Sequence, residues 1–245
     1  MIMKVLGSSS KGNCYLLGND NEVLILELGL NFKEIKKGLD FKLRNVCGCL
    51  VTHEHKDHSK ALLNAAQMGL DVYTSQGTKE ACAADHHRIK TIKSGEQFKL
   101  GGFKILAFEA EHDAREPLGF LIQHEEMGKL LFATDTYYLK WQFEGLNHIM
   151  IECNYSEDIL TRNIENNYVP EILGHRLRTS HFSLENLKEF FKSNDLKQVR
   201  EIVLLHLSEG NGDPELFLDE ITKTTRRKTY LAQKGFEITM NKNPF

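Results

Sequence analysis

The chain of 245 residues is 41% hydrophobic and 27% charged, and its formal net charge is −3. This composition is typical of a soluble globular protein, and the small net charge excludes a general attraction to nucleic acid, although a local basic groove remains compatible with it. The five cysteines have no regular spacing, which argues against a disulfide framework. We expect one domain spanning residues 1–245, with two small domains as the alternative.

The N-terminus lacks the long apolar core of a signal peptide. No apolar stretch approaches the ~18 residues that a membrane-spanning helix needs. We therefore expect a cytoplasmic protein without membrane contact.

The first half of the chain alternates short apolar runs with turn residues, which is the pattern of strands joined by tight loops. Strands are predicted at residues 1–6, 14–17, 23–28, 46–51 and 72–74. Helical spacing of apolar residues predicts helices at residues 31–39, 57–68 and 77–84.

The second half begins with β-type patterns and ends with mixed ones. Strands are predicted at residues 98–100, 103–108, 119–124, 129–133, 148–152, 201–205, 228–231 and 236–239. Helices are predicted at residues 156–163, 169–178, 184–193 and 214–224. This order of elements suits an α/β fold in which two sheets lie face to face with helices outside.

The segment directly after the predicted strand at residues 46–51 is rich in metal-binding side chains. Within six residues it carries His53, Glu54, His55, Asp57 and His58. A position just after a buried strand lies at the carboxyl edge of a sheet, where open α/β folds bind ligands. Imidazole and carboxylate together suit zinc, manganese or iron, and the cluster is too rich for one four-coordinate ion. The alternative is a solvated polar loop in which Asp57 caps the next helix.

Further ligands are expected at strand ends elsewhere, because one segment cannot complete two coordination spheres. Three residues capable of binding metal follow apolar runs: His112, Asp135 and His206. Each stands alone at the predicted carboxyl end of its strand.

These residues, in this order, resemble the metallo-β-lactamase-fold superfamily, and the resemblance covers nearly the whole chain. Within it, residues 7–14, 52–58, 112–120 and 206–209 are similar to the YycJ-like subgroup of metallohydrolases. The resemblance implies an α/β fold, the four-layer αββα sandwich. It also implies a hydrolase with two divalent metal ions, zinc or manganese, with iron as a further possibility.

The ligand assignment comes from the same resemblance. It implies that His53, His55 and His112 bind one ion. It further implies that Asp57, His58 and His206 bind the second, with Asp135 bridging both. Asp57 would also act in catalysis by orienting a metal-bound hydroxide that attacks the substrate.

The subgroup resemblance implies a phosphodiesterase or nuclease, with nucleic acid as the substrate and DNA favoured over RNA. The alternative is a hydrolase of small esters, thioesters or lactones on the same dinuclear site. A non-catalytic binding protein is a third possibility, but it predicts damaged ligands, whereas all seven ligand positions are intact.

Two positions depart from the family pattern. Glu27 stands where the family has an aspartate that supports the metal-binding loop, and its extra methylene moves the carboxylate by ~1.5 Å. It either makes the same hydrogen bond from a shifted backbone or changes metal occupancy. His181 matches a family histidine, although the residues around it differ. It is a candidate for substrate binding and proton donation, or it bonds the local backbone ahead of a helix that Ser183 caps.

Two further segments are candidates for substrate contact. Ser9, Ser10, Lys11 and Asn13 form a polar loop flanked by glycines that suits phosphate binding, or it is a simple turn between strands. Residues 137–141 carry Tyr137, Tyr138 and Trp141. These aromatic side chains either stack on bases or cover the core.

Overall fold

A computed structural model describes residues 1–243 of the chain. It divides into two compact units. Unit 1 comprises Met1–Glu109, Ala114–Lys129 and the C-terminal stretch from Ala232, whereas unit 2 comprises Ala110–Asp113 and Leu130–Leu231. The expectation of a single domain stays a prediction.

Unit 1 contains a seven-stranded sheet. Its strands are β1 (Ile2–Gly7), β2 (Cys14–Gly18), β3 (Val23–Leu26), β4 (Val46–Leu50), β5 (Val72–Thr74), β6 (Ile89–Thr91) and β14 (Glu237–Thr239), in the order β14-β1-β2-β3-β4-β5-β6. The β14-to-β3 part is antiparallel and the β3-to-β6 part is parallel. The carboxyl ends of β3 and β4 therefore lie side by side.

The helices of unit 1 follow the strands of this sheet. They are α1 (Phe32–Gly38), α2 (Lys56–Ser59), α3 (Leu62–Gln67) and α4 (Gln76–Ala81), and a 3-10 turn covers Leu43–Asn45. Buried residues of α1 and α3 join side chains from β2, β3 and β4 in one apolar cluster. Unit 1 also holds an antiparallel meander of β7 (Gln97–Leu100), β8 (Phe103–Glu109) and β9 (Leu118–His124).

Unit 2 is built on parallel strands. These are β10 (Gly128–Ala133, in this unit from Leu130), β11 (His148–Glu152), β12 (Glu201–Leu205) and β13 (Lys228–Leu231). Every residue of β11 is buried, as the continuous apolar run predicts for a central parallel strand. The carboxyl ends of β10, β11 and β12 meet at one edge.

The helices of unit 2 are α5 (Glu157–Glu165), α6 (Glu171–Arg178), α7 (Leu184–Ser193) and α8 (Pro214–Thr225). Helix α7 buries Leu184, Leu187, Phe190 and Phe191, which recur at helical spacing on one face. Its first turn is capped as predicted, because Ser183 accepts a hydrogen bond from the N–H of Asn186.

The predicted single helix at residues 57–68 is wrong, because α2 and α3 are separate. The break lies at Ala61, whose backbone N–H donates to the carbonyl of Leu28 at 2.8 Å instead of continuing the helical ladder. The predicted strand through residue 28 is also too long. It ends at Leu26 because Glu27 has a left-handed backbone with φ of 66°.

Among residues 1–243, no helix combines the length and the apolar character that crossing a membrane requires.

Candidate metal centre

The histidine-rich segment of unit 1 leaves β4 at the carboxyl edge of the sheet, as the sequence predicts. His53 and His58 are buried, whereas His55 and Asp57 are partly exposed. Nε2 of His53 lies 3.1 Å from Nδ1 of His55, and Nε2 of His58 lies 3.3 Å from Oδ2 of Asp57. Four donor side chains thus gather within one short loop.

Asn13 and Gly29 fix this segment in place. The backbone N–H of Asn13 donates to the carbonyl of Asp57 at 2.7 Å, and the Asn13 amide lies 3.0 Å from Nε2 of His58. A Cβ built on Gly29 would lie only 1.6 Å from the Asp57 carbonyl oxygen, so this position requires a residue without a side chain. The close backbone approach orients both Asp57 and His58.

Glu27 is fully buried beneath His58. Its Oε1 lies 3.5 Å from Nδ1 of His58, and its Oε2 accepts the N–H of Thr52 at 3.4 Å. Burial raises the pKa of Glu27 above its ordinary value, and His58 opposes that rise. The longer side chain therefore reaches the histidine-rich segment from a left-handed backbone position.

The predicted polar loop before β2 is a tight turn. The backbone N–H of Gly12 donates to the carbonyl of Ser9 at 2.9 Å. Ser10 and Lys11 are exposed, whereas Asn13 is fully buried and contacts the histidine-rich segment. A role of these residues in substrate binding stays a prediction.

In unit 2, three acidic or imidazole side chains come from the ends of adjacent parallel strands. Asp135 follows β10, Glu152 ends β11 and His206 follows β12. Nδ1 of His206 lies 3.3 Å from Oε1 of Glu152 and 3.8 Å from Oδ1 of Asp135. The structure thus brings the predicted residues Asp135 and His206 together around a carboxylate.

Glu152 is the residue that the sequence prediction missed. It is fully buried and accepts backbone N–H groups from Thr136 and Phe182, each at 3.1 Å. Burial acts to raise the pKa of Glu152, but His181 and His206 hold it below the ordinary value. The sequence signal that could have found Glu152 is its position at the carboxyl end of an apolar strand. The same kind of position predicts Asp135 and His206 as site residues.

His181 lies between α6 and α7, with its side chain 13% exposed. Its Nδ1 is 2.6 Å from Oε1 of Glu152, and its ring stacks on that of His206 with centroids 5.7 Å apart. Burial acts to lower the pKa of His181, but Glu152 and Asp135 raise it above the ordinary value. The structure therefore gives His181 a buried carboxylate partner rather than only a backbone contact.

His112 belongs to the short part of unit 2 at residues 110–113. Its Nδ1 lies 2.7 Å from the carbonyl of Ser180, which fixes that nitrogen as the protonated one. Its Nε2 faces Asp135 at 3.8 Å and Asp113 at 3.3 Å. Burial lowers the pKa of His112 below its ordinary value, so neutral imidazole, the metal-binding form, is favoured.

Three residues of these clusters have left-handed backbones. The φ angles are 66° at Glu27, 43° at Asp135 and 52° at His206. A non-glycine residue in this region costs on the order of 1–3 kcal/mol and is typical of functional sites. At each of these positions the chain turns sharply at the end of a strand.

The chemistry of both donor sets fits divalent cations. In unit 2, ligand atoms of Asp135, Glu152, His181 and His206 lie within 4.8 Å of one another. Unit 1 offers three imidazoles and a carboxylate in one loop. Nitrogen and oxygen donors of this kind suit zinc, manganese and iron.

Comparison with known proteins gives one family match and several relatives. The family described as the beta-lactamase superfamily domain matches residues 34–207. Exodeoxyribonuclease YycJ of Bacillus anthracis is 29% identical over 96% of this chain and 92% of its own length. Exodeoxyribonuclease WalJ of Streptococcus pneumoniae serotype 2 is 26% identical over 86% of this chain and 83% of its own.

Solved structures share the fold. The metallo-beta-lactamase fold protein YhfI from Bacillus subtilis superposes with a TM-score of 0.71 at 14% identity, covering 97% of this chain and 99% of its own. Zn(2+)-bound PqqB from Methylobacterium extorquens superposes with a TM-score of 0.68 at 16% identity, covering 98% and 100%. These likenesses confirm the predicted αββα sandwich of two mixed sheets flanked by helices.

Proposed function

Because the chain belongs to the beta-lactamase superfamily, and within it to the YycJ-like subgroup, we propose that it is a nuclease that hydrolyses phosphodiester bonds of DNA. The coarser activity, that of a metal-dependent hydrolase, follows from the family and its named relatives. The observation that carries the finer proposal is the similarity to an exodeoxyribonuclease along nearly the full length of both chains.

The proposed cofactor is a pair of divalent ions, zinc or manganese, with iron as the alternative. By the resemblance of the motifs, His53, His55 and His112 would hold one ion, and Asp57, His58 and His206 would hold the other, with Asp135 available to both. When bound, the divalent ions would lower the pKa of bound water toward neutrality and offset the negative charge of phosphate oxygens.

In the proposed reaction, Asp57 and His181 carry out the two proton transfers. Asp57 is partly exposed and oriented through its backbone by Asn13, so its carboxylate can orient the attacking water and accept its proton. As the new oxygen–phosphorus bond forms, the bond to the leaving oxygen breaks. His181, whose protonated form Glu152 stabilises, donates a proton to that oxygen.

The test combines metal analysis with digestion of labelled nucleic acid. Purified protein is assayed for bound zinc, manganese and iron, then incubated with 5′- and 3′-labelled single- and double-stranded DNA and RNA. We expect cleavage of DNA that depends on a divalent metal. Asp57→Ala and His58→Ala should each abolish it, because each removes a proposed ligand.

Matched controls come from the same unit. Asp85 and His87 are exposed and lie outside the histidine-rich segment, so Asp85→Ala and His87→Ala should cleave DNA like the wild type. Hydrolysis of a thioester or of nitrocefin without any cleavage of DNA would replace the nuclease by a small-molecule hydrolase. Full activity in both Asp57→Ala and His58→Ala would place the active site elsewhere.

A further inference from the structure

Between β10 and β11, residues 134–147 contain neither helix nor strand. Unstructured connections of this length are uncommon inside compact units and are usually functional. This segment carries Tyr137, Tyr138 and Trp141. Together with α7 it lines an open groove of about 490 Å³ within unit 2. The volume lies in the ~300–1,000 Å³ range of ligand-binding clefts.

The groove presents aromatic surface to solvent. Tyr138 is 55% exposed and Trp141 is 43% exposed, whereas the groove floor is made by the buried rings of Phe182 and Phe190. About half of each exposed ring thus remains open to a ligand, while the choice between stacking on bases and covering the core stays a prediction. A contiguous patch of exposed aromatic surface often marks a binding site, whereas single exposed side chains do not.

Hydrogen bonds hold the segment in a defined conformation. The backbone N–H of Thr136 donates to Glu152 and its hydroxyl donates to the carbonyl of Tyr138 at 2.8 Å. At the far end, the N–H of Phe143 donates to the side chain of Asn194 at 3.0 Å. The backbone that carries the aromatic rings is thus held in place, which lowers the entropic cost of binding a planar ligand.

The groove adjoins the residues assigned to catalysis. Tyr137 and Tyr138 closely follow Asp135 in the chain, and Phe182 directly follows His181. Phe182 also donates its N–H to Glu152, the carboxylate that holds His181. A base lying in the groove would therefore be only a short way along the strand from a phosphate placed at Asp135 and His181.

The chemistry of the groove selects its occupant. Lys140 lies with Nζ 5.5 Å from the centre of the Trp141 ring and 3.7 Å from Oε1 of Glu111, so its charge beside the aromatic surface is paired. The rim also carries the polar side chains of Gln142 and Asn186 and the carboxylate of Glu189. The exposed aromatic rings match a ligand with a planar π-face, and single-stranded nucleic acid offers one because its bases are open to stacking.

Given the proposed nuclease function, on which this inference rests, we propose that the groove is a base-stacking subsite. In it, Tyr138 and Trp141 hold one or two unpaired nucleobases next to the bond to be cleaved.

Trp141 provides a direct probe, because it is the only tryptophan in the chain. The metal-loaded protein is titrated with a single-stranded oligodeoxynucleotide whose phosphorothioate links resist hydrolysis. We expect the bases to quench Trp141 fluorescence. The same strand with abasic sites should bind about 5- to 150-fold more weakly, which corresponds to the usual worth of stacking one base. Equal binding of the abasic strand, or equal quenching by a blunt duplex of the same sequence, would overturn the proposal.

Variants locate the effect. Tyr138→Ala and Trp141→Leu should each weaken binding of the intact strand, measured by fluorescence anisotropy of a labelled strand, and should remove the penalty for abasic sites. Tyr168→Ala is the matched control, because Tyr168 is 78% exposed in the same unit but lies outside the groove. An undiminished abasic penalty in both groove variants would contradict the assignment.

The wild-type protein separates this proposal from the one it rests on. Hydrolysis of p-nitrophenyl methyl phosphate, which has no base, reports phosphodiesterase activity alone. Hydrolysis of this ester without quenching by the oligonucleotide would remove the subsite and leave the proposed function standing. Quenching without hydrolysis of any phosphodiester would remove the proposed function while the groove remained a nucleic-acid contact.

Discussion

Nδ1 of His181 lies 2.6 Å from Oε1 of Glu152, a carboxylate with no exposed surface. The imidazole donates a hydrogen bond from Nδ1 to the carboxylate, which leaves Nε2 as the nitrogen that would give a proton to a substrate in the proposed mechanism. A carboxylate that orients an imidazole and stabilises its protonated form is a recurrent arrangement for proton transfer. In the proposed mechanism, Glu152 is therefore a positioning residue that acts through His181.

His181→Ala should separate substrates by their leaving groups. Removal of a proton donor costs roughly 10²–10⁴-fold when the leaving oxygen is an alkoxide, as in DNA. A p-nitrophenolate leaves without a proton, so p-nitrophenyl methyl phosphate should lose much less. Steady-state rates on both substrates measure this difference, and an equal loss on both would show that His181 does not donate the proton.

Glu152→Gln should produce the same selectivity in weaker form. The amide keeps the size of the side chain but removes the charge that orients and protonates His181. We expect kcat on DNA to fall by about 10–100-fold, the usual cost of losing an orienting partner, with KM nearly unchanged. Metal content measured in parallel serves as the control, because a loss of bound metal of the same size would assign Glu152 to metal binding instead.

Glu27→Gln tests the carboxylate beneath His58. Since Glu27 faces Nδ1 of His58 at 3.5 Å, its charge favours the orientation and basicity of that imidazole. We expect the dissociation constant for zinc or manganese to rise about 10–100-fold, as measured by calorimetry. Glu34→Gln is the control, because Glu34 is an exposed partner of Lys234, and its metal affinity should match that of the wild type.

Alanine substitutions at Gly29 and Gly69 should lower the free energy of unfolding by very different amounts. A Cβ on Gly29 meets the backbone of Asp57 at 1.6 Å, whereas one on Gly69 meets nothing within 4 Å. Gly29→Ala should lower the free energy of unfolding by about 3 kcal/mol or more, because backbone must move. Gly69→Ala should lower it by only about 1 kcal/mol, because Gly69 has a φ of 91°. Urea denaturation compares them, and similar values would contradict the close approach seen at Gly29.

Because of its thiols, the free energy of unfolding of the protein should change with pH in the alkaline range. Burial, followed by the charge of Glu22, raises the pKa of Cys47 to about 12, whereas an unfolded cysteine has a pKa of about 8.5. Below pH ~8.5 both states are protonated and the thiol has no effect. Above it only the unfolded state loses the proton, so the free energy of unfolding falls, by at most about 1.4 kcal/mol per pH unit for this thiol.

Cys47→Ala should therefore lose less stability than the wild type between pH 8.5 and 10.5, as measured by urea denaturation at several pH values. Native protein at pH 8 should also react slowly with thiol reagents. Burial raises the pKa of every cysteine: Cys14, Cys47, Cys49, Cys82 and Cys153. Parallel pH curves for the two proteins would contradict the assignment to Cys47.

Several elements could be predicted from the sequence with their bounds, because local pattern and burial agree there. The predicted and observed limits coincide for β11, α7, β12 and β13. The family and the YycJ-like subgroup are confirmed too, because spaced metal ligands carry more information than any periodicity. The assignment of individual ligands stays a prediction.

Other features depend on contacts that a local pattern does not contain. The break between α2 and α3 is set by a hydrogen bond from Ala61 to Leu28, which are distant in sequence. Strand β6 was missed because it is only three residues long and is defined by its pairing with β5. Glu152 was missed because a lone glutamate after an apolar run resembles an ordinary strand end until His181 is placed beside it.

The left-handed backbones at Glu27, Asp135 and His206 carry an evolutionary consequence. Glycine or asparagine would adopt those conformations more easily, so replacing these three residues would relieve strain and make the chain more heat-resistant. Selection for robustness alone would thus act against these three side chains first, and a descendant freed from its chemical task should keep this architecture while shedding them.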